Sequence, residues 1–310
     1  MHPVTQNILI TGAEGFLGSN LIDFLMQNTN HKIFSISKNK IYADYPPERF
    51  VSIKHNLLNS FSDDLKIELK EINYIIHLAG SSDVERSRQY PVESIKNNVI
   101  VTTNLLEFAR VNTSKLKQFL FFSTAEVFGP SKNNKRFKES DAYTPHSPYA
   151  VTKAAAQEMC LSYFRTYDLP VVITHVMNTY GKFQTENKFI PKMTKMISNG
   201  EKVFLHANNG PSQRNYLHVQ DICDAILFLM SKATVGEKYN IVSDTDTNNL
   251  EIVKMIAKIL NRKLEYDLIA PTRERKHYAL SLLDGSKLRD LGWRPKVPME
   301  VGLKEFINNE

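Results

Sequence analysis

"NILITGAEGFLGSN", residues 7 to 20, runs from a short apolar stretch through three glycines into an amphipathic segment. The apolar run reads as a buried strand, and "GSNLIDFLMQN" (18–28) reads as a helix. Gly12, Gly15 and Gly18, spaced G-x-x-G-x-x-G, then occupy the turn between them. Glycine lets the chain turn tightly there and lets an anion approach the main chain, where the first helical N–H groups can meet it. A plain strand-to-helix connection would also use glycine. The context that separates the two readings is whether this turn is the first βα junction of a parallel sheet.

The sequence downstream supplies that context. "KIFSIS" (32–37), "FVSIKHN" (50–56), "INYIIHLAG" (72–80), "KQFLFFSTAEVFG" (117–129) and "PVVITHVMNTYG" (170–181) are short, nearly continuous apolar runs. Helix-length segments at 91–112 and 149–168 alternate with them. Such alternation predicts an α/β fold, a Rossmann-type doubly wound parallel sheet covered on both faces. After residue 181 loops lengthen, Pro and Gly become frequent, and helices at 187–199 and 248–261 separate short strands. The expected division is a dinucleotide-binding domain over 1–181, with 215–237 returning to it, and a smaller α+β substrate-binding region over 182–310. No internal repeat or low-complexity segment interrupts the chain.

Composition narrows the setting. The 310 residues are 42% hydrophobic and 23% charged, with a formal net charge of +6. That charge is mild for the length. The basic run "SKNNKRFK" (131–138) reads first as a solvated loop and argues for no nucleic-acid partner. Cys160 and Cys223 lie in apolar segments without metal-ligand spacing, so reduced thiols, a cytoplasmic location and no metal site are expected. No apolar run reaches the length of a membrane span, and the N-terminal residues lack the pattern of a secretory leader.

Within a doubly wound sheet, ligands bind at the carboxyl ends of strands. The end of the second strand usually carries an acid for the ribose hydroxyls of NAD. Here Ser37 and Lys38 stand there, so either NADP or NAD is the expected cofactor, with these two residues leaning toward the 2′-phosphate of NADP. Asn56 and Leu57 end the third strand, where the Asn can meet adenine. Leu78, Ala79 and Gly80 end the fourth and are small enough for a cofactor to lie against. "YAVTK" (149–153) places Tyr149 and Lys153 one helical turn apart, a spacing that any helix edge also shows.

The blocks "TGAEGFLGSN", "HLAG", "FFSTAEVFG", "SPYAVTKAAAQ", "NTYG" and "RNYLHVQDICDAI" together resemble, in order and spacing, the extended short-chain dehydrogenase/reductases that act on nucleotide sugars (the NAD-dependent epimerase/dehydratase family). The likeness runs from residue 7 to "LGWRP" at 291–295 and is strongest to the dTDP-glucose 4,6-dehydratase group. "HLAGSSDVERSRQYP" is similar to that group's "HLAAESHVDRSI", and "NTYGKFQTENKFIP" to its "NNYGPYQFPEKLIP".

The resemblance implies an enzyme that transiently oxidises a sugar at C4. Tyr149 takes the proton of the 4-hydroxyl, Lys153 lowers the tyrosine pKa and holds the nicotinamide ribose, and Thr124 shares the proton path. Glu126 matches the base that removes the C5 proton. The acid that precedes it in those dehydratases is replaced by Ala125, which leaves 4-epimerisation and decarboxylation of a uronic sugar as alternatives. A non-catalytic NADP-binding regulator is the alternative from another class. The resemblance also extends the cofactor site to Phe16, Leu17, Asn98 and Ser123. It assigns the sugar nucleotide to Ser82, Asp83, Asn178, Lys188 and Arg214, with Arg273 or Arg275 as a further cation. A homodimer through helices 91–112 and 149–168 is implied as well, with Leu105, Leu106, Ala155 and Met159 on the shared face.

Overall fold

The computed structural model describes residues 5–41, 44–131, 133–206, 214–270 and 282–308. Seven parallel strands form the main sheet, in the spatial order Lys238–Ile241, Val171–Val176, Gln118–Thr124, Tyr74–His77, Asn7–Thr11, Lys32–Ser37, Phe50–Lys54. The order reverses between Asn7–Thr11 and Tyr74–His77, which pair in register from Ile8↔Tyr74 to Thr11↔His77. A crevice opens beyond such a reversal, at the carboxyl ends of the two strands.

Alternation along each strand explains the two cores. Ile8 and Ile10 join Leu21, Leu25, Ile222 and Ile226, under helices Phe16–Asn28 and Val219–Lys232. Leu9 and Ile36 point the other way, into a cluster with Leu65, Leu105, Leu106 and Cys160 under helices Asp63–Leu69, Val101–Asn112 and Pro148–Tyr167. Each fully buried Leu or Ile contributes about 1.5–3 kcal/mol, and burial on both faces is why these strands read as unbroken apolar runs.

Three boundaries differ from expectation. The run 170–181 is two strands. Val171–Val176 belongs to the main sheet, whereas Asn178–Tyr180 leaves it to pair with Arg214–His218, Asn178 opposite Tyr216. The main sheet also takes Lys238–Ile241, beyond the 215–237 expected to return to it. Helix 91–112 is not uniform: Pro91–Ile95 passes through one wider turn, in which Val101 N–H bonds the Lys96 carbonyl, into Val101–Asn112. The C-terminal part has its own core, built by Phe189–Ser198, Asn249–Ile259 and Met299–Asn308 around Ile197, Ile256 and Phe306. Among the described residues no helix is long and apolar enough to cross a membrane.

Candidate active site

A cleft of about 360 Å³ lies at the strand-order reversal, walled by Gly12 and Gly15, by Ser37 and Lys38, by Asn56 and Leu57, and by Leu78, Ala79 and Gly80. Every one of these was expected at a cofactor. Gly12 adopts φ +70, and a Cβ on it would come within 2.7 Å of Ala79 N. The turn is therefore pressed against the fourth strand in a way that only glycine allows. Gly18 lies behind the turn. A Cβ there would meet the Gly12 carbonyl oxygen at 2.4 Å, so its absence sets the closeness of helix and turn. The helix start at Gly15 has no side-chain cap and no acid in its first turn, a combination that favours an anionic ligand. Phe16 and Leu17 contribute main-chain groups there, while their side chains pack onto the core.

Beneath the cleft, His77 is completely buried and bridges two threonines. Its Nδ1 is 2.7 Å from Thr11 Oγ1 and its Nε2 is 2.9 Å from Thr102 Oγ1. Burial, aided by the nearby Lys153 charge, drives its pKa down to about 3, so the ring stays neutral and rigidly placed. Asn98, expected at the cofactor, acts instead as a clamp. Its Oδ1 accepts from Ser81 N at 2.8 Å and its Nδ2 donates to Thr152 Oγ1 at 2.9 Å, tying the loop after the fourth strand to the helix that carries Tyr149. Asn98→Ala leaves the half-buried Ser81 N–H unpaired, while Thr152 Oγ1 keeps its bonds to the Tyr149 carbonyl and Ser94 Oγ, and is expected to cost about 1–2 kcal/mol of stability. A denaturant midpoint equal to that of the wild type would contradict the clamp.

The residues expected to do chemistry converge one strand further along. Thr124 ends Gln118–Thr124, and Ala125–Phe128 follows as a tight single turn with Glu126 N–H donating to Thr124 Oγ1 at 3.3 Å. Ser147 caps helix Pro148–Tyr167 by accepting from Ala150 N at 3.1 Å, and its hydroxyl approaches Glu126 Oε2 at 3.5 Å. The same helix start is anchored by Tyr149 N donating to Ser87 Oγ at 3.1 Å. The Tyr149 side chain is buried, and its phenol is hydrogen-bonded to Thr124. Burial first, and then the Glu126 charge, push the phenol pKa up, with the Thr124 bond working against them.

Lys153 lies one turn on, buried, with Nζ donating to the Phe122 carbonyl at 2.6 Å and standing 4.2 Å from the Phe121 ring centroid. Burial lowers its pKa to about 8, so it remains largely an ammonium at neutral pH. Burial raises the Glu126 pKa, while Ser147, Arg88 and Lys188 favour its ionised form. Ala125 packs among Phe128, Met177 and Ala154, in an apolar place that offers no proton.

The substrate-side residues divide. Asn178 and Arg214 share the small three-stranded sheet. Arg214 Nε is buried without a partner among the described residues. Lys188 starts helix Phe189–Ser198 and acts on Glu126. Ser82 is exposed on the loop after the fourth strand. Asp83 caps helix Val84–Gln89, its Oδ1 accepting from Arg86 N at 2.9 Å. Arg273 and Arg275 lie outside the described residues.

Several cleft residues were not foreseen, namely Glu14, Ile36, His55, Ser81, Asn97 and Val101. His55 adjoins the expected Asn56, and its Nε2 is buried without a partner among the described residues. Ser123 Oγ has the same character, at the end of the fifth strand where a cofactor contact was expected. Among the described residues, no group of three or more His, Cys, Asp or Glu side chains is placed to hold a metal ion.

The sequence profile of the GDP-mannose 4,6 dehydratase family matches residues 9–306. The chain belongs to that family. A dTDP-glucose 4,6-dehydratase of Haemophilus influenzae is 32% identical, with 97% of each chain covered. The crystal structure of a dTDP-glucose 4,6-dehydratase from Streptomyces venezuelae with NAD and TYD bound superposes with a TM-score of 0.85 at 28% identity, over 98% of this chain and 96% of that one. A UDP-glucose 4-epimerase from Thermotoga maritima, solved with UDP-glucose, shares the fold at a TM-score of 0.85 and 24% identity, over 98% of both chains. The family's nicotinamide dinucleotide fits the residues present: a glycine turn with no room for a Cβ, an uncapped helix start, and two orphaned polar atoms, Ser123 Oγ and His55 Nε2.

Proposed function

We propose that the protein is a nucleotide-diphosphate-sugar 4,6-dehydratase. The observation that carries this reading is the convergence of Thr124, Glu126 and Tyr149 at the carboxyl end of one strand, with Lys153 one turn behind and the cleft of the glycine turn at the neighbouring strands.

Gly12, Gly15 and the helix start would hold the cofactor's pyrophosphate, and Tyr149, Lys153 and Ser123 would border its nicotinamide end. Bound there, an oxidised nicotinamide would supply a reversible hydride acceptor for the sugar. Tyr149 removes the proton of the 4-hydroxyl through the hydrogen bond it shares with Thr124, and the Lys153 ammonium favours the phenolate. The resulting 4-ketone acidifies C5–H, and Glu126 takes that proton. The protonated Glu126 then delivers it to the departing C6 hydroxyl, which leaves as water. This double role answers the replacement of the preceding acid by Ala125. C5 is finally reprotonated from solvent. Arg214, Asn178 and Lys188 serve the diphosphate and nucleotide, guanidinium and ammonium matching phosphate oxygens.

The base form of Glu126 must be ionised, and its pKa is raised above the ordinary 4.5. Activity is therefore expected to fall on the acid side with a midpoint above 4.5, because protonation of the base sets in at higher pH than for a free carboxyl. A pH profile of kcat/KM with its acid midpoint below that value would contradict the assignment.

A second copy of the chain is the proposed partner. Leu105 and Leu106, expected on the shared face, are fully buried in the protomer's own core. The exposed large apolar residues of these helices are Val92, Ile95, Ile100, Val111, Val151 and Tyr167, with the expected Ala155 exposed as well, and residues of this set would meet across a two-fold axis. Two buried free thiols, Cys160 and Cys223, suit a reducing, cytoplasmic setting.

The test is incubation with UDP-, dTDP-, GDP- and CDP-sugars followed by mass spectrometry. Loss of one water supports the proposal. Loss of carbon dioxide, or an isomer of unchanged mass, would replace it with decarboxylation or epimerisation.

A further inference from the structure

The adenosine end of the cleft contains an acid that the end of the second strand lacks. Glu14 stands inside the glycine turn and borders the cleft beside Ser37 and Lys38. Asn39 Nδ2 donates to Glu14 Oε2 at 3.0 Å, linking the turn to the residues that follow strand Lys32–Ser37. The Ser37 hydroxyl in turn donates to the Asn39 carbonyl at 2.6 Å. Its proton is engaged, so what Ser37 presents to a ligand is lone pairs.

Two elements thus bring acceptors to one corner, the Ser37 oxygen and the Glu14 carboxylate. A ribose 2′-hydroxyl is a donor and satisfies them. A 2′-phosphate accepts only and carries about −1.5 to −2 charges, so it would face an acceptor-lined corner and a like charge. Among the described residues bordering the cleft, Lys38 is the single Lys or Arg, and Glu14 offsets it. His55 borders the same cleft, but burial lowers its pKa, so at neutral pH it adds no positive charge for a phosphate.

We propose that Glu14 reads the adenosine ribose in place of an acid at the end of the second strand, and that the chain selects NAD over NADP. Ser37 and Lys38, which in the sequence alone lean toward NADP, are then the acceptor and the counter-charge of an NAD site. The proposal rests on the cleft being the dinucleotide site.

NADH and NADPH titrated into the purified protein and followed by nicotinamide fluorescence test it without turnover. Wild type is expected to bind NADH at least about tenfold more tightly, the worth of one charge-assisted hydrogen bond. Glu14→Gln and Glu14→Ala, at an exposed position that leaves the fold intact, are expected to shrink that preference about tenfold, with NADPH binding gaining. A wild-type preference for NADPH, or a ratio unchanged in both variants, overturns the role of Glu14. Binding of neither dinucleotide overturns the cofactor reading beneath it.

Discussion

Tyr149→Phe is expected to lose at least about a thousandfold in turnover of the sugar nucleotide while binding dinucleotide within about threefold of wild type. The substitution deletes one oxygen from a buried ring whose main-chain N–H still bonds Ser87 Oγ. Thr124 loses its phenolic partner but retains its bond from Glu126 N–H. The helix start and the neighbouring Lys153 therefore stay in place, and the loss falls on the proton transfer. Thr124 cannot substitute, because an alcohol is a far weaker base than a phenolate. Turnover within tenfold of wild type would remove Tyr149 from the mechanism.

The second large effect belongs to Glu126. Glu126→Gln keeps the size of the side chain and its main-chain bond to Thr124 but can neither accept the C5 proton nor return one to the leaving hydroxyl. Loss of dehydration by at least about a thousandfold is expected, together with loss of C5–H exchange in heavy water. The opening step at C4 does not use Glu126, so any slow isomerisation at C4 should survive. If water loss persisted at a tenth of the wild-type rate, another acid would have to serve C6. Ala125, packed among Phe128 and Met177, is not that acid.

Much of this was legible in the residues. Strands such as Gln118–Thr124 are buried on both faces, so their apolar runs declare them. The glycine turn announces itself because the close approach of Gly12 to Ala79 tolerates no other side chain. Tyr149, Lys153, Thr124 and Glu126 are singled out by the blocks that contain them, and the structure places Thr124, Glu126 and Tyr149 side by side with Lys153 one turn on.

What was not legible depends on contacts between distant segments. Apolar residues continue through Met177, so nothing local shows that the chain changes sheets before Asn178, where the partner is Tyr216. Asn98 looks like a ligand group until its amide is seen holding Ser81 and Thr152. Asp83 could have been recognised, since an Asp ahead of a short helix is a common N-cap. The meaning of Ser37 and Lys38 also changed in three dimensions. Only the fold places Glu14 opposite them and turns the serine proton toward Asn39.

Transient oxidation at C4 followed by elimination across C5 and C6 can be traced with a substrate carrying deuterium at C4. Mass spectrometry and NMR of the product of wild-type turnover should find the deuterium in the new methyl group at C6, with one water lost. Deuterium remaining at C4, or washed out into solvent, would contradict the account.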